Sequence, residues 1–294
     1  MGEGETKAIP SAPTLPLTPS PPLAQLKDNA PFALVRHHRA SASTAMPDAV
    51  AVVLAAGMGT RMKSDLPKVL CPVLGRPMIE FVLDVLQAAG VGRVIAVIGY
   101  RADDVRSALA ARTNVEYVLQ TERLGTGHAV KMARQSFVGH RGPVVVVAGD
   151  SPMIQTASVK KLLDHFDLHR PACLLGTLHK PNPSGLGRIV RDANGEFVGI
   201  VEERDATPDQ RLITEVNMST YVFDGPQLFH ALDLLKNENR QQEYYLTDCP
   251  GILRDEGKRV QALPVLQACE ALSINTPEEL AQVEAEMQKM GYSR

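Results

Sequence analysis

Residues 49–70, AVAVVLAAGMGTRMKSDLPKVL, decide how this chain reads. The apolar run 50–54 predicts a short buried strand, which breaks at Ala55-Ala56-Gly57-Met58-Gly59 into a glycine-rich turn. Gly57 and Gly59 let the backbone approach a ligand closely or take positive φ. Arg61 and Lys68 then put cations just downstream of a loop able to aim N–H groups outward. A triphosphate needs that combination, because amides cradle its oxygens while Arg and Lys offset its charge.

Two common glycine motifs fail against this turn. A dinucleotide fingerprint needs a small residue where Met62 stands, since the helix must pack closely there. A Walker A loop, G-x-x-x-x-G-K-[ST], occurs nowhere in the chain. The remaining string, LAAGMGTRM followed by Leu66-Pro67-Lys68-Val69-Leu70, resembles the signature of the sugar-phosphate nucleotidyltransferases.

Upstream of this stretch, residues 1–46 are rich in Pro, Ser, Thr and Ala, with prolines at 10, 13, 16, 19, 21, 22 and 31. Such a segment buries too little apolar surface to offset its ordering entropy and reads as a disordered tail. Downstream, strands and helices alternate: helix from Pro77 to Gly90, strand 93–99, helix 102–111, strand 115–119, helix 125–137, strand 143–148, helix 158–169. That alternation predicts a parallel sheet covered on both faces. Further on, strands are expected at 174–179, at 188–203 with a turn at 192–195, at 215–223 and at 259–265. Thr276-Pro277-Glu278-Glu279 reads as a capping box opening a terminal helix to about Met290. We therefore expect one α/β domain over 47–294, with a nucleotide-binding half at 47–155 and a mixed-β, sugar-binding half at 156–294. In such sheets ligands sit beyond the carboxyl ends of the strands, so Gly57, Gln120 and Asp150 should share one rim.

The chain's 31 basic and 33 acidic residues nearly cancel, so no global charge favours nucleic acid. Cys71, Cys173, Cys249 and Cys269 form no CxxC pair, which indicates neither a zinc knuckle nor a disulfide framework. No apolar run approaches the ~20 residues of a membrane span, and the N-terminus does not read as a signal peptide. A cytoplasmic location is expected by elimination.

Three further segments carry candidate chemistry. Gln120 opens QTERLGTGHA, and its carboxamide suits a uracil edge that shows N–H beside C=O. Gly125 and Thr126 could bring backbone groups to the same base. His128 reads as structural, because phosphoryl transfer to a phosphate oxygen asks for little proton transfer. Gly149-Asp150 ends the most apolar strand, and a carboxylate there is well placed to hold Mg²⁺. Asn275 could add a second oxygen, although it also reads as a plain turn residue before Thr276.

From about Ala49 to Gly291 the chain is similar to the pyrophosphorylase domain of the bacterial bifunctional N-acetylglucosamine-1-phosphate uridylyltransferases. The resemblance implies a Rossmann-like nucleotidyltransferase fold. It also implies Mg-dependent uridylyl transfer from UTP to N-acetylglucosamine 1-phosphate. It assigns nucleotide contacts to Leu54, Ala55, Ala56, Gly57, Gly59, Gln120, Gly125, Thr126, Gly149 and Asp150, and phosphate-handling catalysis to Arg61 and Lys68. Magnesium falls to Asp150 and Asn275, and the sugar to Gly187, Glu202 and Asn217. Only five residues separate Arg61 from Pro67, and this short loop favours the aminosugar enzyme over the glucose-1-phosphate enzymes. Another sugar-1-phosphate nucleotidyltransferase, or a non-catalytic nucleotide-sugar-binding subunit, remains the alternative. Three departures stand out: Ala148 replaces the usual aromatic residue before Gly-Asp, Met218-Ser219 replaces Thr-Gly after Asn217, and no hexapeptide repeats follow. The expectation is therefore a chain without the acetyltransferase β-helix, acting on UTP and the sugar phosphate, with neither membrane nor nucleic acid as partner and an oligomeric state left open.

Overall fold

The computed structural model describes residues 49–62 and 64–293; the tail expected at 1–46 lies outside them. Val50–Ala55 (β1) is the centre of a nine-stranded sheet. It pairs in parallel with Arg93–Ile98 (β4) on one side and with Pro143–Ala148 (β6) on the other. Between β1 and β4, the ribbon Pro72–Val73 (β2) and Arg76–Pro77 (β3) leads into Met78–Ala88 (α1). Ala102–Ala108 (α2) connects β4 to Val115–Leu119 (β5), which pairs in parallel with β4 at the sheet edge.

The apolar runs that marked these strands have a direct cause. Val50, Val52, Ile95, Val97, Val144 and Val146 face one buried cluster, while Ala51, Val53, Val94, Ala96, Ile98, Val145 and Val147 face another. Both faces are dry, so each strand reads as a continuous apolar stretch rather than an alternation. Helix α1, α2 and Thr156–His169 (α4) cover the second face through Val82, Leu86, Val105, Val159, Leu162 and Phe166. Thr126–Met132 (α3) covers the first. The helix expected at 125–137 tightens after Met132 into a 3-10 turn, Ala133–Phe137, a common way for a helix to end.

Cys173–His179 (β7), Gly187–Arg191 (β8), Phe197–Val201 (β9), Glu215–Asp224 (β10) and Val260–Leu263 (β11) extend the same sheet in the order β11-β7-β10-β6-β1-β4-β5. Strand β10 runs antiparallel to both β6 and β7. Its pairing shifts between Asn217 and Thr220 at a bulge where Ser219 takes φ +52. Beyond that bulge β10 lies beside β6, and before it beside β8, which in turn pairs with β9. The bulge thus parts the sheet at the carboxyl end of β6. Pro208–Arg211 (α5), Gly225–Leu234 (α6) and Cys249–Asp255 (α7) link these strands. Pro277–Lys289 (α8) closes a separate cluster with the β2–β3 ribbon, burying Val283 and Met287 against Val73, Leu74 and Met78.

One predicted motif is half present. Thr276 Oγ1 accepts from the Glu279 N–H at 3.2 Å, but the Glu279 carboxylate takes the Asn275 N–H at 2.6 Å instead of that of Thr276. The reciprocal bond of a capping box is therefore diverted one residue upstream, where it secures Asn275.

Candidate functional site

Gly59 takes φ +70, and a Cβ there would lie 2.7 Å from Lys68 Cβ, so only glycine lets the turn fold back onto Lys68. The Lys68 amide reaches back to the Gly57 carbonyl at 3.4 Å. Lys68 Nζ is thereby aimed across the end of β6, 2.6 Å from Asp150 Oδ2 and 3.0 Å from Asn275 Oδ1. Arg61 Nη2 donates to the same Asn275 oxygen at 3.1 Å. Arg61, Lys68, Asp150 and Asn275, drawn from four places in the chain, meet at one point.

A cleft of about 300 Å³ opens from that point along the strand tips, lined by Leu54, Ala56, Gly57, Lys68, Gln120, Gly125, Thr126 and Asp150. Gln120 is 5% exposed, and its Nε2 donates to the Gly125 carbonyl at 3.2 Å. Ala55 is buried, the Gly149 N–H is spent on Leu54 O at 2.9 Å, and Gly59 packs on Lys68, so these three shape the cleft without lining it. Sequence reasoning missed Arg123, Glu243 and Ser219 as lining residues. Arg123 lay within the quoted QTERLGTGHA string, whereas Glu243 arrives only through a long-range pairing. The Tyr244 N–H donates to Leu124 O, and the Gly127 N–H to Tyr244 O, each at 2.8 Å. The Leu246 N–H donates to Thr126 Oγ1 at 3.1 Å. A Cβ on Gly125, whose φ is +105, would come within 2.6 Å of Tyr244 O. The stretches 120–126 and 242–248 are thus zipped together.

A second cleft of about 380 Å³ shares Thr126 and Glu243 with the first and is lined by Arg61, Glu202 and Tyr245. Glu202 Oε1 accepts from Thr247 Oγ1 at 3.0 Å. Its other oxygen, Oε2, and Asn217 Cβ each lie 3.6 Å from the place a Gly187 Cβ would occupy. The three expected sugar residues are thus neighbours. Asn217 donates to Tyr221 OH at 2.7 Å and accepts from the Ser219 N–H at 3.2 Å, which fixes its amide. Burial raises the Glu202 carboxyl above its ordinary range, and the nearby Asp205 adds to this. Asp248 is pushed up to about 6, first by burial and then by Glu202 and Asp205. Among the described residues no group of three or more His, Cys, Asp or Glu could hold a metal by itself. None of the described helices is long and apolar enough to cross a membrane.

A mostly parallel sheet with a glycine turn, paired cations and a carboxylate at its carboxyl edge defines an α/β protein built to handle phosphates. Residues 51–204 match the family described as "MobA-like NTP transferase domain", and the chain belongs to that family. Its relatives include the "Bifunctional protein GlmU" of Shouchella clausii (strain KSM-K16), 44% identical over 239 residues, 81% of this chain and 52% of that one. The protein of the same name from Clostridioides difficile (strain 630) is 40% identical over 239 residues, 81% of this chain and 51% of that one. The chain spans about half the length of the curated relatives it matches. Among solved structures, one of UDP-glucose pyrophosphorylase complexed with UDP-glucose superposes with a TM-score of 0.67 at 17% identity, covering 83% of this chain and 99% of that one. That likeness is one of fold.

Proposed function

We propose that the chain transfers a uridylyl group from UTP to N-acetylglucosamine 1-phosphate, giving UDP-N-acetylglucosamine and pyrophosphate. The observation that carries this reading is the meeting of Arg61, Lys68, Asp150 and Asn275 beside a cleft that Lys68, Asp150 and Gln120 line together. Gln120 and the Gly125 backbone read the base, and Gly187, Glu202 and Asn217 hold the sugar. A sugar-phosphate oxygen attacks the α-phosphorus in line and pyrophosphate leaves, with Arg61 and Lys68 offsetting charge on the phosphates. Positioning and electrostatics carry the step, with no covalent protein intermediate.

Asp150 Oδ2 and Asn275 Oδ1 already converge on one cation, Lys68 Nζ, and a carboxylate with a carboxamide oxygen is a donor set suited to Mg²⁺. These two residues would hold the ion, which supplies charge neutralisation at the phosphates and takes its remaining ligands from water and substrate.

A panel of nucleoside triphosphates and sugar 1-phosphates, read by pyrophosphate release, tests the proposal. UTP with N-acetylglucosamine 1-phosphate is expected to lead. A preference for glucose 1-phosphate, or UDP-sugar binding without turnover in magnesium, overturns it. Lys68→Ala is expected to lower kcat/KM by roughly 10²–10³ while the melting curve stays in place.

A further inference from the structure

His128, which the proposed chemistry leaves idle, sits in the first turn of α3 with Nδ1 at 3.0 Å from Gln120 Nε2. The Gly125 carbonyl, 3.2 Å from the same Nε2, can only accept, so the amide atom beside it must be the nitrogen. Both Gln120 N–H groups are then spent inside the protein, one on Gly125 O and one on His128 Nδ1. His128 must accept at Nδ1 and carry its proton on Nε2. Among the described residues no donor engages Gln120 Oε1, and Gln120 lines the cleft. The side chain can therefore offer a base only an acceptor.

We infer that His128 is a positioning residue for base selection: it locks the Gln120 amide with Oε1 as the sole free group, so the site takes a pyrimidine bearing N3–H and rejects one whose N3 is a lone pair. The inference rests on the reading of Gln120 as the base contact. Uracil meets Oε1 with a donor, whereas cytosine meets it with an acceptor. Turning the amide over to suit cytosine would set Oε1 against the Gly125 carbonyl, which can only accept, and would force His128 to move its proton from Nε2 to Nδ1, in a position 5% exposed where water cannot relieve the clash. Without the imidazole only one of those two contacts opposes the flip. A backbone carbonyl cannot be removed, so His128 is the adjustable half of the lock.

The test compares kcat/KM for UTP and CTP at pH 8. His128→Leu removes the acceptor, and the UTP-over-CTP ratio is expected to fall about threefold to tenfold, the scale of one buried hydrogen bond. His128→Asn can set Oδ1 where Nδ1 lies and is expected to keep the ratio. An unchanged ratio in a folded His128→Leu, or equal losses in the Leu and Asn variants, overturns the inference while leaving uridylyl transfer intact. A wild-type chain with no preference for UTP overturns the parent reading and this one with it. Because His128→Leu could fail to fold, a ¹⁵N spectrum of the histidine-labelled wild-type chain gives a second readout, its His128 signals assigned against His128→Asn. Nδ1 must resonate as the bare nitrogen and Nε2 as the protonated one; the reverse tautomer sinks the lock.

Discussion

Ser219 holds φ +52, a backbone conformation costing roughly 1–2 kcal/mol for any residue with a Cβ, and it does so at the bulge that opens the sheet beside the cleft. Replacing it with glycine removes that strain but frees the unfolded chain by about 0.5–1 kcal/mol. Glycine also removes the Ser219 side-chain hydrogen bond to the buried Tyr221 hydroxyl, about 1 kcal/mol, so the terms nearly cancel and Ser219→Gly is expected to change stability by less than about 0.5 kcal/mol, read from the urea midpoint at constant m-value. A variant destabilised by more than that would mean the bond to Tyr221 outweighs the backbone strain. The sequence reading flagged Met218-Ser219 and Ala148 as separate departures, and the structure makes them one, because Ser219 and Ala148 line the same cleft. At this scale Arg61, Lys68 and Asp150 were legible, since a cation or carboxylate just past a buried strand has few structural reasons to be there. Asn275 was legible only through resemblance. It sits in the turn and reaches the cations at once, with Glu279 gripping its N–H and its Oδ1 reaching Lys68.

Elements were legible where the pattern was strong, and their partners were not. A strand buried on both faces announces itself as an apolar run, which is why β1, β4 and β6 begin as expected and end within one residue of it. Nothing in β10 says that it runs antiparallel between two strands parallel to one another, because a strand's residue pattern specifies its faces and not its neighbours. The turn Leu246–Asp248, which delivers α7 to the first face, carries a testable cost of its own. It sets Asp248 near Glu202 and Asp205, and burial followed by those two carboxylates raises Asp248 from 3.8 to about 6. A carboxyl whose folded pKa lies above its unfolded one binds the proton more tightly when folded, so its contribution to stability falls as pH rises from about 4 to about 6 and stays low above that. Asp248→Asn removes the ionisation. It is expected to be on the order of 1 kcal/mol more stable than wild type at pH 8, after discounting for partial exposure, with no gain at pH 4. Urea melts at the two pH values check the sign, and an equal gain at both would show that folding leaves the ionisation of Asp248 unchanged.

The candidate site draws on residues from 54 to 275, so the two ends of the described chain must meet for Asn275 to reach Arg61 and Lys68 beside the cleft. Helix α8 secures that meeting. Ile274, Val283 and Met287 are each at most 1% exposed in the cluster with the β2–β3 ribbon, and Glu284 Oε1 accepts the Leu74 N–H at 2.8 Å. Burying three such side chains contributes about 5 kcal/mol or more, comparable with the net stability of a whole domain. A chain ending at Ser273 is therefore expected to lose its cooperative thermal transition together with its turnover. Met287→Ala separates the two roles of this segment. The cavity it leaves should cost about 2–5 kcal/mol. Asn275 stays gripped by Glu279 in the first turn of the helix, so kcat/KM measured well below the melting temperature should not change. If instead turnover falls while the variant is still folded by circular dichroism, packing along α8 is coupled to the cations at Asn275, and the helix belongs to the site rather than only to the core beneath it.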